Sequence, residues 1–217
     1  MSFNNNNPFS SLPEVVKNLL IINIIGFIAA NVFEAQGISL NDMLGLHIPG
    51  GDKFQPYQFI TYLFMHGSLM HIFFNMFALV SFGSIIEQYF GPKRFFIFYF
   101  ICGVGAGLLY LATSYWELQP LIAQYGKQAL DLPVAVGASG AIYGLLMAFG
   151  MLFPDARVGL FFIIPMKAKY AVLLFGIIEL YSGINPSPTS NIAHFAHVGG
   201  MLFAYILIKI WKIPRAM

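Results

Sequence analysis

The stretch VGASGAIYG, residues 136–144, places Ser139 next to Gly140 at the start of a long apolar run. A serine hydroxyl is a weak nucleophile until a neighbouring base accepts its proton. Histidine is a common base in such pairs, and His197 lies at the start of another apolar run, in AHFAHVGGMLFA. These residue types indicate nucleophilic catalysis, with Ser139 as the nucleophile and His197 as the general base.

Two further polar residues lie in the first turns of a third apolar run, in HGSLMHIFFNMFAL. His71 and Asn75 are four residues apart and therefore share one face of a helix. With the backbone N–H of Ser139, they are hydrogen-bond donors suited to a tetrahedral oxyanion. Tyr143 lies one helical turn after Ser139 and is predicted to hold the imidazole of His197.

An acidic third member of the site is not predicted. Glu179 is the only acid deep in the later apolar runs, and structural pairing with a neighbouring hydroxyl or amide is the favoured interpretation. His194 and His197 have a spacing that could bind a metal, but no Cys, Asp or Glu lies near them in sequence. The sequence therefore predicts a Ser-His dyad with no metal and no cofactor. His194 is interpreted as a neighbour of His197 with no assigned role.

The composition requires lipid as the main solvent of this chain. Of 217 residues, 58% are hydrophobic and 9% are charged, whereas soluble domains carry roughly 25% charged residues. Mean hydropathy is +0.73. The net charge of +2 comes from scattered basic residues, which argues against nucleic acid as a partner.

The elements that must position these side chains are membrane helices. A span needs roughly 20 apolar residues, and six candidates are present: Val15–Phe33, Leu69–Ile86, Phe95–Thr113, Val134–Phe153, Ala168–Ser182 and Ala193–Trp211. We predict an all-α membrane protein with one domain over residues 15–212, preceded by a disordered tail over residues 1–14.

Basic residues in short loops predict the orientation. With the N-terminus inside, the cytoplasmic segments hold nine of them: Lys17, Lys93, Arg94, Arg157, Lys167, Lys169, Lys209, Lys212 and Arg215. The other side holds Lys53 and Lys127. Both termini are therefore predicted to be cytoplasmic, with Ser139 and His197 toward the external side.

Small residues predict how Ser139 meets His197. Gly140 and Gly144 are four apart in the fourth span, as are Gly200 and Ala204 in the sixth. Small residues at this spacing let two helices approach closely. If these two faces meet, Ser139 and His197 come together at the external end.

The motifs GASGAIYG, HGSLMHIFFNMFAL and AHVGGMLFA, with IIEQYFGPKRFF, resemble those of rhomboid intramembrane serine proteases over roughly residues 55–205. The resemblance implies a six-transmembrane-helix bundle whose first external loop, about residues 34–66, lies partly in the membrane. It implies cleavage of transmembrane proteins by Ser139 and His197, with His71 and Asn75 at the oxyanion hole and Tyr143 packed on His197. His66 matches an outer histidine of structural role. The family often has a Trp-Arg pair where this chain has Tyr57-Gln58, which leaves the anchoring of the loop open.

Two other functions are compatible with parts of this sequence. A non-catalytic rhomboid-like protein would bind membrane helices, but such relatives typically lack the serine or the histidine. A small transporter would favour charges near mid-membrane and inverted repeats, and neither is apparent. The sequence favours the protease, in the cell membrane, with the bilayer and transmembrane proteins as partners.

Overall fold

The computed structural model describes residues 12–132, 134–160, 164–185 and 193–216. Its helices are α1 (Glu14–Glu34), α2 (Leu40–Leu44), α3 (Gln58–Thr61), α4 (Leu69–Ala78), α5 (Ser84–Phe90), α6 (Pro92–Glu117), α7 (Gln119–Tyr125), α8 (Ser139–Leu152), α9 (Ala168–Ile184) and α10 (His194–Ile210). A π-helical turn, Leu79–Gly83, joins α4 and α5 into one rod. Strands β1 (Arg157–Leu160) and β2 (Ile164–Lys167) form an antiparallel hairpin between α8 and α9.

The six predicted spans fall on α1, the α4–α5 rod, α6, α8, α9 and α10, which confirms a mostly helical fold. Within the described residues, α1, the α4–α5 rod and α6 are long and apolar enough to cross a membrane, whereas α8 and α10 are apolar but shorter. Large apolar side chains such as Ile25 and Ile28 on α1 lie exposed, as lipid contact requires. The count of six spans stays a prediction, as does the single domain. Most of the predicted tail, residues 1–11, lies outside the described residues.

Helix α8, in the fourth predicted span, begins at Ser139, five residues after the predicted start at Val134. The residues before it pair with the first loop instead of forming a helical turn. Ala135 exchanges both backbone hydrogen bonds with Leu46, at 2.9 and 3.0 Å, and the Gly137 N–H donates to the Tyr62 carbonyl at 2.8 Å. Gly137 has a φ of +122°, which disfavours any side chain there.

A buried carboxylate ties α1 to α5. Glu87 accepts hydrogen bonds from the backbone N–H groups of Val15 and Val16, at 2.9 and 2.8 Å. These are unpaired donors of the first helical turn, where negative charge is also favoured by the helix dipole. Glu87 therefore fixes the start of α1 against the bundle.

Gln58 anchors the loop between α1 and α4. Its Oε1 accepts from the backbone N–H groups of His47 (3.3 Å) and Gln55 (3.1 Å). Its Nε2 donates to the carbonyls of Met43 (3.2 Å) and Lys53 (3.0 Å). Gln58 is fully buried. One amide thus satisfies four backbone groups, which supplies an anchor at the place where the Tyr57-Gln58 pair departs from the family pattern.

One ion pair and one backbone hydrogen bond join this loop to the segment before α8, and a second ion pair lies within the loop. Lys127 pairs with Asp52, and this hydrogen bond raises the pKa of Lys127. Asp131 accepts from the backbone N–H of Lys53 at 2.9 Å, and the Lys53 ammonium donates to Asp42 at 2.9 Å. The loop and the segment leading to Ser139 are therefore held as one unit.

Replacing Gln58 by Leu should loosen the loop without changing its size greatly. Each buried backbone group left without a partner costs about 1–3 kcal/mol. We expect a lower Tm in detergent and faster proteolytic cutting within residues 34–66. Tyr57→Leu, at the adjacent and exposed position, is the control and should behave as the wild type. Equal effects of the two substitutions would show that Gln58 is not the anchor.

Candidate active site

The helices that carry Ser139 and His197 touch through backbone. A Cβ at Gly200 of α10 would overlap the Gly140 carbonyl of α8. A side chain at Gly140 would meet Ala106, and one at Gly144 would lie 2.7 Å from Cys102 Cβ, both on α6. The predicted contact of the two small-residue faces therefore occurs at Gly140 and Gly200. A third helix, α6, also packs against this contact, which was not predicted from the sequence.

This contact aligns the first turns of α8 and α10. Ser139 is the first residue of α8, and His197 follows the start of α10 by three residues. Ser139 Oγ lies 2.8 Å from His197 Nε2, which is hydrogen-bond distance. Ser139 is half-buried and His197 is buried. The structure therefore brings together the two residues that the sequence singled out first.

Tyr143 lies against the histidine. Its ring stacks on the His197 imidazole with centroids 4.2 Å apart and planes 8° from parallel. Its hydroxyl donates to Glu179 Oε1 on α9. Tyr143 thus limits the rotation of His197 on one side and fixes the carboxylate on the other.

Glu179 lies closer to the site than the sequence analysis indicated. The expected pairing with a hydroxyl is present, through Tyr143, but the carboxylate also faces both histidines. Its Oε2 lies 2.7 Å from His194 Nδ1 and 3.0 Å from His197 Nδ1. The contact with His194 has hydrogen-bond alignment; at His197 Nδ1 the carboxylate lies off the direction of a good hydrogen bond. The prediction of no metal site rested on the lack of an acid near His194 in the sequence. In the structure Glu179 lies beside both histidines, so this reason no longer applies.

The candidate oxyanion donors meet at Gly137, two residues before Ser139. A Cβ at position 137 would lie 2.6 Å from His71 Nε2 and 3.7 Å from Asn75 Nδ2. Ser68 caps α4 by accepting from the His71 backbone N–H at 3.2 Å, which sets the start of this helix. Asn75 is buried, and its Nδ2 has no hydrogen-bond partner among the described residues. Such an unpaired buried donor is costly unless a ligand or water satisfies it.

His66 lies beside this pair. Its ring centroid is 5.0 Å from that of His71, in an edge-on arrangement. Both His66 ring nitrogens are buried without a partner among the described residues. His66 therefore lies against His71, and its structural role stays a prediction.

The site thus combines a hydroxyl, an imidazole at hydrogen-bond distance and a carboxylate near the second imidazole nitrogen. Serine hydrolases activate their nucleophile with this arrangement of groups. In the comparisons with known proteins, residues 53–212 match the rhomboid domain. The chain belongs to the rhomboid family and is a membrane protein.

Individual relatives share about three residues in ten with this chain. It is 30% identical over 201 residues to RHOMBOID-like protein 12, mitochondrial, of Arabidopsis thaliana, which covers 89% of this chain and 57% of that protein. It is 30% identical over 154 residues to Rhomboid protein 1, mitochondrial, of Saccharomyces cerevisiae, 71% of this chain and 41% of that protein. A Bacillus subtilis protein, named as a candidate rhomboid protease, is 29% identical over 159 residues, 70% and 68% of the two chains.

Proposed function

We propose that this chain is an intramembrane serine endopeptidase that cleaves transmembrane proteins. The observation that carries the proposal is the 2.8 Å separation of Ser139 Oγ and His197 Nε2 at the start of two short helices. Family membership supports the same class of activity.

The chemistry follows from the two nitrogens of His197. Nε2 accepts the Ser139 proton as Oγ attacks the carbonyl carbon of the substrate. The imidazolium that forms faces the Glu179 carboxylate through Nδ1, 3.0 Å from Oε2, and is stabilised by it. His197 then gives the proton to the leaving amine, and water hydrolyses the acyl-enzyme by the same steps.

The tetrahedral intermediate requires donors for its oxyanion. His71 Nε2 and Asn75 Nδ2 lie near Gly137, and Asn75 Nδ2 lacks a partner among the described residues. A donor that is unpaired in the resting site has nothing to give up when the oxyanion forms. We therefore assign His71, Asn75 and the Ser139 backbone N–H to the oxyanion hole.

Helix length supports cleavage inside the membrane. The 14 residues of α8 extend about 21 Å at 1.5 Å per residue, whereas the hydrocarbon core is about 30 Å thick. If the other end of α8 reaches the membrane boundary, Ser139 lies roughly 9 Å below the opposite one. The charge bias of the loops favours the external side for that boundary, with both termini in the cytoplasm. The cell membrane stays the expected location.

A non-catalytic rhomboid-like protein is the alternative. It would have no need for Ser139 and His197 at hydrogen-bond distance, for Tyr143 stacked on the imidazole or for an unpaired Asn75 amide. These three features together support the protease.

Reaction with a fluorophosphonate tests the nucleophile directly. The wild-type protein should be labelled and should cut a reporter transmembrane protein, whereas Ser139→Ala and His197→Ala should do neither. His194→Ala is the matched histidine control and should keep substantial activity. Labelling that persists in Ser139→Ala, or a wild type that neither reacts nor cleaves, would contradict the proposal.

Asn75→Ala tests the oxyanion hole. Loss of one such donor lowers kcat by about 10²–10³-fold, and KM should change little because the donor acts in the transition state. Phe74→Ala, an exposed neighbour on the same helix, is the control and should keep its kcat. A higher KM with normal kcat would assign Asn75 to substrate binding instead.

Glu179→Gln tests the carboxylate as a positioning residue. A hydrogen bond to a charged group contributes about 1.5–3 kcal/mol. The contact with His197 Nδ1 is poorly aligned, so we expect the lower end of this range, a fall in kcat of about 10-fold with KM little changed. His194→Ala removes the other histidine from the same carboxylate and should have a smaller effect on kcat. If Glu179→Gln lowers the Tm but leaves kcat and the fluorophosphonate labelling rate unchanged, the carboxylate has a structural role alone.

A further inference from the structure

Glu179, His194 and His197 form a compact cluster of metal-ligating groups beside the dyad. One ligand atom from each residue lies within 4.8 Å of the other two. The side chains are 8%, 14% and 10% exposed, in that order, so the cluster is enclosed without being sealed. Two imidazoles and one carboxylate form a ligand set that zinc takes in proteins, with water as the fourth ligand.

We propose that this cluster is an inhibitory zinc site, in which Zn²⁺ binds His194 Nδ1, His197 Nδ1 and Glu179 and switches off the general base. The proposal concerns regulation of the proposed protease and rests on that function for its effect on catalysis. The binding site itself rests on the geometry of the three side chains.

The cluster needs small movements to accept the ion. Ligand atoms around tetrahedral Zn²⁺ at 2.0–2.1 Å are separated by about 3.4 Å. The two nitrogens now lie 2.7 and 3.0 Å from Glu179 Oε2. Opening the two contacts by about 0.7 and 0.4 Å, respectively, makes room for the ion. The Tyr143 hydroxyl binds the other carboxylate oxygen and would orient it from the second shell of ligands.

The inhibition follows from the tautomer of His197. When Nδ1 carries the proton, toward Glu179, Nε2 has a free lone pair and accepts the Ser139 proton. When Zn²⁺ takes the Nδ1 lone pair, the single proton of the neutral ring must be on Nε2. The 2.8 Å contact with Ser139 Oγ is then kept, but Nε2 donates in it and no longer accepts. The nucleophile loses its base without any large movement.

A substitution at His194 distinguishes the metal site from the dyad, because His194 is a proposed zinc ligand and takes no part in the proposed catalytic steps. Loss of an outer partner of a metal ligand already costs about 10–100-fold in affinity, and His194 would be a direct ligand. We therefore expect His194→Phe to raise the zinc concentration for half-inhibition by at least about 100-fold. Each variant is compared with its own zinc-free rate.

The experiment titrates purified protein with ZnCl₂ and follows fluorophosphonate labelling and reporter cleavage, with EDTA to reverse the effect. Micromolar zinc should block both in the wild type. MgCl₂ should block neither, because Mg²⁺ prefers oxygen ligands. His66→Phe is the histidine control and should remain zinc-sensitive. If His66→Phe relieved inhibition and His194→Phe did not, zinc would act at His66 and His71 and the proposal would be wrong.

Binding is measured without activity, by the visible absorption of Co²⁺ added to Ser139→Ala protein. A tetrahedral cobalt spectrum that disappears in Ser139→Ala/His194→Phe supports the site, even if the protein proves to lack proteolytic activity. The absence of such a spectrum would overturn the metal site. Cobalt binding combined with zinc-insensitive labelling of the wild type would overturn the tautomer mechanism.

Discussion

The backbone contact between Gly140 and Gly200 is the constraint on which the rest of the site depends. No side chain fits at position 200, because its Cβ would overlap the Gly140 carbonyl. The contact fixes the separation of α8 and α10 near their N-terminal ends, where Ser139 and His197 lie. Because α6 supplies Ala106 and Cys102 to the same region, a shift of one helix would disturb all three. A 2.8 Å hydrogen bond between residues 58 positions apart depends on this rigidity.

Lipid sets the second constraint. Apolar solvent offers no hydrogen bonds, so polar side chains inside the bundle must satisfy one another. Glu179 does so with Tyr143 and His194, and Glu87 does so with the start of α1. Among the described residues, nine buried side-chain nitrogen or oxygen atoms lack a hydrogen-bond partner. Three of them, Asn75 Nδ2 and both His66 ring nitrogens, lie at and next to the proposed oxyanion hole, where water or substrate would complete the bonding. Others, such as Ser84 Oγ and the Tyr99 hydroxyl, lie elsewhere in the bundle.

Local sequence patterns predicted the helices well, because a span is a property of consecutive residues. Leu69 and Ala168 begin helices where expected, and α10 agrees with its predicted span to one residue at each end. The prediction that Val134–Ala138 is helical was wrong, because the backbone of this segment pairs with Leu46 and Tyr62 in the first loop. Such long-range contacts are not encoded in a local pattern. The proximity of Ser139 and His197 was predictable from two motifs. Gln58 was noticed as a departure from the family, but its four bonds to loop backbone depend on a fold that no periodicity encodes.

Glu179 shows most clearly what a one-dimensional pattern leaves out. Its sequence neighbours on α9 are apolar, so an isolated acid there indicates a partner without naming it. In the structure Glu179 faces three partners on two other helices: Tyr143 on α8, and His194 and His197 on α10. The carboxylate and the second histidine have opposite effects on His197. A carboxylate near Nδ1 favours the tautomer that leaves Nε2 free, and this is the form a general base requires. The second histidine, His194, lies on the same carboxylate, so that Glu179, His194 and His197 together form the proposed set of metal ligands. Tyr143 cannot oppose this, since stacking restricts the plane of the ring and not the nitrogen that carries the proton. In the proposed mechanism, the identity of the group at Nδ1, a carboxylate or a metal, therefore decides whether Ser139 has a base.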